Sequence, residues 1–161
     1  MNAEDKARLD AIMSSFEQKL AKSKDAKSQQ QSEEDAGYAE FKRVQRDVIR
    51  PAMEDMANEL KARGHESQIS EVGDERSQRD VRITMTFTIG GASTTAFSPE
   101  NTVSVSFSRT GSTTVTIQAT TPIKSRSGLA GQRGNYAASD ITTDMVQKKI
   151  LEVLQEVFTP R

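Results

Sequence analysis

The chain has 161 residues, a length for one domain, with 34% hydrophobic and 28% charged residues. Basic residues number 22 against 23 acidic ones, a net charge of −1, so no global field selects nucleic acid, an anionic membrane or a cationic partner. Cysteine is absent and His65 is the sole histidine, which excludes disulfides, thiolate chemistry and cysteine zinc sites.

The N-terminus, Met1-Asn2-Ala3-Glu4-Asp5, is acidic and has no apolar core of a secretory signal. No apolar run approaches the ~20 residues of a membrane span, so no membrane partner is expected and the default address is the cytoplasm.

Residues 1–20 read as an amphipathic helical arm. Leu9, Ile12, Met13, Phe16 and Leu20 fall on one helical stripe, and the subset Leu9, Met13, Phe16, Leu20 has the 4-3-4 spacing of a coiled-coil seam. Such a stripe needs a surface to bury it, since a short helix is marginal alone. Residues 21–35, AKSKDAKSQQQSEED, carry no large apolar side chain and are expected as a polar linker or a solvated helix extension. They set the boundary of an α+β domain over 36–161.

Residues 36–63 read as helix, opened by the acidic Glu33, Glu34 and Asp35 and stopped by Gly64. The apolar stripe runs Phe41, Val44, Val48 and then shifts to Ile49, Met53, Met56, Leu60, with Pro51 at the shift. One kinked helix and two successive helices both satisfy this pattern.

The period then changes to two. Val81–Ile89, Val103–Phe107 and Val115–Ala119 alternate apolar residues with Thr, Ser, Arg or Gln, and a weaker strand covers 66–73. A three-residue turn at Arg109-Thr110-Gly111 keeps apolar residues facing apolar residues, pairing Val105 with Val115, and puts Gly111 at a left-handed position. Residues 90–101 are expected as a long hairpin loop, and residues 121–140 as an irregular loop or a poorly defined strand. The last helix, 142–158, carries Val146, Ile150, Val153, Leu154 and Val157, with Asp140 or Thr142 as its cap. The expected architecture is α+β: a four-stranded antiparallel meander with one face covered by helices 36–63 and 142–158, plus the N-terminal arm.

Four features are candidates for function. The arm stripe (Leu9, Ile12, Met13, Phe16, Leu20) suits a protein partner or a second copy. Thr84, Thr86, Thr88, Ser104, Ser106, Ser108, Thr114 and Thr116 share the polar sheet face; threonine's strand propensity explains most of this, and the face has no aromatic platform for stacking bases. The loop 124–134 places Lys124, Arg126 and Arg133 among Gly128, Gly131 and Gly134, a candidate anion site that matches neither a P-loop nor a dinucleotide fingerprint. Carboxylates cluster at Glu54, Asp55, Glu59 and at Glu71, Asp74, Glu75, where solvated charge is the simplest account.

No residue is assigned a catalytic, cofactor-binding or metal role. The leading expectation is a non-enzymatic interaction or self-association module built on the arm, forming a homo-oligomer. The alternative is a ligand or nucleic-acid binder using the loop 124–134 beside the hydroxyl face.

Overall fold

The computed structural model describes residues 2–73, 80–88, 102–111, 113–121 and 131–158. The chain divides into two compact units, Met1–Asp35 and Ala36–Arg161.

The first helix, α1, spans Ala3–Val44. Asn2 caps it, its Oδ1 accepting from the Asp5 backbone N–H at 2.7 Å, and Glu4 and Asp5 place negative charge on the first turn. Residues 21–35 continue this helix, nearly all of them exposed. Their Ala, Lys, Gln and Glu side chains have high helix propensity, and neither Gly nor Pro interrupts them.

In the second unit the helical path changes pitch. Residues Gln45–Ile49 form a π-helical turn in which the Arg50 N–H donates to the Gln45 carbonyl, and the second helix, α2, spans Arg50–Ala62. Pro51 has no N–H for the Asp47 carbonyl and its ring would collide with it, so a wider turn stands before it. The extra residue also explains the shift of the apolar stripe. Phe41 and Val44 are buried, and the next buried apolar residue is Ile49, a five-residue step that α-helical geometry would turn off the core.

Helix α2 ends in paired hydrogen bonds. The Gly64 N–H donates to Lys61 O at 3.0 Å, and the His65 N–H donates to Leu60 O at 2.9 Å. Gly64 supplies the positive φ of 85° that this ending requires.

The sheet has five antiparallel strands in chain order: β1 (Ser67–Val72), β2 (Arg82–Thr88), β3 (Thr102–Thr110), β4 (Thr114–Thr120) and β5 (Gly131–Ala137). The four-stranded expectation is thereby corrected. The fifth strand, GQRGNYA, carries one large apolar side chain, Tyr136, and two glycines, so it lacks the alternation that marks the others. Its ladder also contains a bulge: Ile117 pairs with Gly134 and Gln118 with Gln132, leaving Arg133 as the extra residue.

The β3–β4 turn occupies three residues, 111–113, between the pair Thr110 and Thr114. The odd loop length and the left-handed Gly111 (φ 73°) agree with the sequence reading, but the register does not. Val105 pairs with Ala119 and Phe107 with Ile117, because Arg109 and Thr110 extend β3 instead of entering the turn. The change moves each partner by an even number of residues, so every side chain keeps its face. The expected loop over 90–101 lies outside the described residues.

The third helix, α3, spans Thr143–Phe158 and is capped by Thr142, whose Oγ1 accepts from the Met145 N–H at 3.2 Å. Val146, Ile150 and Val153 of α3 join Phe41, Val44, Ile49, Met53 and Leu60 in the core. These helical residues bury one face of the sheet, contributed by Val81, Ile83, Met85, Phe87, Val103, Val105, Phe107, Val115, Ile117 and Ala119. No helix among the described residues is long and apolar enough to cross a membrane.

Candidate functional site

Within Met1–Asp35, the apolar stripe is exposed: Leu9 46%, Ile12 58%, Met13 49%, Phe16 59% and Leu20 45%. Helical geometry explains why these five share a face, since steps of three and four residues return to the same side. Isolated exposed leucines need no explanation, whereas five large apolar side chains in 12 positions form a contiguous strip.

In the second unit, the polar sheet face is built as its period requires. Thr84 pairs with Ser106, Thr86 with Ser104, Thr88 with Thr102, and Ser108 with Thr116. Several of the hydroxyls are hydrogen-bonded, while the buried Thr88 Oγ1 has no partner among the described residues. Thr84 Oγ1 and Ser106 Oγ are 2.9 Å apart, Thr110 Oγ1 and Thr116 Oγ1 are 2.6 Å apart, and the Thr116 hydroxyl donates to Asn135 Oδ1 at 2.7 Å. Thr88 and Thr116 are buried and the other six are half-buried, so the face offers fewer free hydroxyls than its composition suggests.

Of the candidate anion-binding residues, Lys124 and Arg126 lie outside the described residues. Arg133 is described, and it is engaged. The β5 bulge places two successive residues, Arg133 and Gly134, toward α3, and Arg133 Nη1 sits 2.8 Å from Glu156 Oε2. Lys149, one turn of α3 before Glu152, hangs over the Tyr136 ring at 5.6 Å from its centroid. The Tyr136 hydroxyl and the Glu152 carboxylate hold its ammonium above the usual lysine range, against the opposing effect of burial.

Three of the candidate carboxylates, Glu54, Glu59 and Glu71, are likewise paired with neighbours. Arg50 bridges two of them, with Nε 3.1 Å from Glu54 and Nη1 2.9 Å from Glu71. Burial raises the Glu71 pKa, but hydrogen bonds from Arg50 and the Gln45 amide, with the charges of Arg50 and Lys42, leave it lowered overall. Glu59 lies 3.7 Å from Arg63 on the exposed face of α2. Asp74 and Glu75 are outside the described residues. Among the described residues, no group of three or more His, Asp or Glu side chains is placed to hold a metal ion.

A groove between α2 and α3 is a feature that the sequence reading did not single out. It encloses about 610 Å³ and is lined by Met56, Leu60, Leu151, Leu154 and Phe158, with Glu59, Arg63, His65 and Gln155 at its edges. The His65 and Phe158 rings meet at 5.3 Å, tilted by 58°. Leu151 and Phe158 are 52% and 42% exposed and lie off the buried stripe of α3. Ile49 and Met53, which continue the apolar stripe of this helical stretch, are fully buried in the core.

Comparison with protein-family models, with curated proteins and with solved structures finds no match to this chain.

Proposed function

We propose that the chain is a non-enzymatic, cytoplasmic self-association module whose contact surface is the stripe Leu9, Ile12, Met13, Phe16 and Leu20. The observation that carries this reading is the exposure of those five side chains, between 45% and 59% each. Full burial of such a side chain contributes roughly 1.5–3 kcal/mol, so covering the exposed half recovers on the order of 1 kcal/mol per residue. Two copies then gain roughly 10 kcal/mol gross from ten side chains, comparable with the about 4–15 kcal/mol cost of association. The assembly is therefore expected to be reversible and concentration-dependent. The absence of cysteine is compatible with a reducing compartment.

Light scattering across a concentration series tests the reading. The full chain should rise above monomer mass with concentration. The double variant Met13→Glu/Phe16→Glu should stay monomeric with an unchanged unfolding transition. A wild-type chain that remains a monomer at every concentration would rule the reading out.

A further inference from the structure

We infer that the partner of the arm is a second copy of this chain running antiparallel, in the register that sets Leu9 against the partner's Leu20 and Met13 against the partner's Phe16. The inference rests on the self-association reading above and adds the orientation and register.

The 4-3-4 spacing assigns the heptad. Leu9 and Phe16 occupy d positions, and Met13 and Leu20 occupy a positions. The flanking g positions are then Asp5, Ile12 and Lys19, and the e positions Asp10, Glu17 and Lys24. All of these residues are helical and exposed. Flanking charge is thus mostly sorted along the arm, with Asp5 and Asp10 early and Lys19 and Lys24 late.

A parallel pair would set each g residue beside the e residue of the partner's next heptad. Asp5 would face the partner's Asp10, and Lys19 the partner's Lys24, each repulsion occurring twice by symmetry. Extending the seam would also stack Lys6 on the partner's Lys6, and Lys27 on the partner's Lys27, at a positions.

Reversing one helix changes the signs. The g side brings Asp5 toward the partner's Lys19, and the e side brings Asp10 toward the partner's Lys24. Ile12, the one apolar flanking residue, lies near the partner's Ile12. The next seam layers become Lys6 with the partner's Ser23 and Asn2 with the partner's Lys27, so no lysine meets its own copy. One unfavourable approach remains, Glu17 to the partner's own Glu17. Antiparallel pairing also mixes a with d in each layer, as the match of Met13 to Phe16 requires.

Because the chain has no cysteine, orientation can be read by oxidative cross-linking of full-length single-cysteine variants. An equimolar mixture of Lys6→Cys and Ser23→Cys chains should give covalent dimer at least tenfold faster than either variant alone. Rapid cross-linking of Lys6→Cys or Ser23→Cys by itself would overturn the antiparallel register in favour of a parallel one. Slow cross-linking in every sample, from a chain that light scattering shows to be a dimer, would overturn the register and leave self-association standing. A monomeric wild-type chain would overturn both.

Discussion

The Tyr136 ring lies against the backbone of Gly134, so that a Cβ at position 134 would stand 2.7 Å from Tyr136 Cε2. Gly134 also holds φ at 138°, a region that L side chains rarely adopt. The two residues are two positions apart on an edge strand, and the ring covers the surface that the missing side chain leaves bare. Gly134→Ala should therefore destabilise the domain by roughly 1–3 kcal/mol, from backbone strain and displacement of the ring. Urea unfolding measures it, and a loss below about 0.5 kcal/mol would mean that the strand relaxes freely around position 134.

The bulge beside Gly134 aims Arg133 at Glu156, at 2.8 Å and with both side chains partly covered. A double-mutant cycle with Arg133→Gln and Glu156→Gln should give a coupling energy of about 1 kcal/mol, at the upper end for exposed pairs. Zero coupling would show that the bulge, and not the ion pair, sets the position of Arg133.

Glu71 links β1 to α2 through Arg50, and its pKa is lowered from 4.5 in the folded chain. A carboxylate with a depressed folded pKa adds stability above its unfolded value, and that stability is lost as pH falls through the folded value. Its side chain is 36% exposed, so the contribution should be modest, about 0.5 kcal/mol at pH 7. Glu71→Gln should lower the unfolding temperature at pH 7 and match the wild type near pH 3. An equal deficit at both pH values would assign the effect to packing instead.

Every buried hydrophobic side chain among the described residues lies at or after Phe41. The fragment Ala36–Arg161 should accordingly fold alone, with a chemical-denaturation free energy within about 0.5 kcal/mol of the full chain at low concentration. A fragment that fails to unfold cooperatively would show that residues 1–35 contribute to the core.

A truncation within the core gives the scale for these effects. Phe107 is fully buried opposite Ile117 and Ile83, at the centre of three strands. Phe107→Ala should cost about 3–5 kcal/mol, which circular dichroism melts would register as loss of the folded state at moderate temperature.

Much of the fold was legible because burial imposes a period. The strands at 82–88, 102–110 and 114–120 alternate apolar and polar residues, since one sheet face is covered by helices and the other is wet. Helix α3 was legible from Val146, Ile150 and Val153 and from its Thr142 cap. Strand β5 was legible only as one alternative for residues 121–140, because its position is held by pairing with β4 and by Tyr136 lying over Gly134, neither of which produces alternation in GQRGNYA. The groove between α2 and α3 was also illegible, since Met56 and Leu151 are far apart in the chain and meet only when the helices pack.

The hairpin at Gly111 separates the two kinds of information. Alternation by itself determined that Val105 and Phe107 share a face with Val115 and Ile117, because a one-residue slip would turn every apolar side chain to water. It also determined that the turn has an odd length and needs a residue such as Gly111. Which odd register forms was decided only in the tertiary structure. Slips by two residues on each strand preserve every face, so the hydrophobic pattern does not distinguish them. The choice lies in long-range pairing, where β3 extends through Arg109 and Thr110, the Arg109 N–H donates to Val81 O at 2.8 Å, and Arg109 itself is buried opposite Val115.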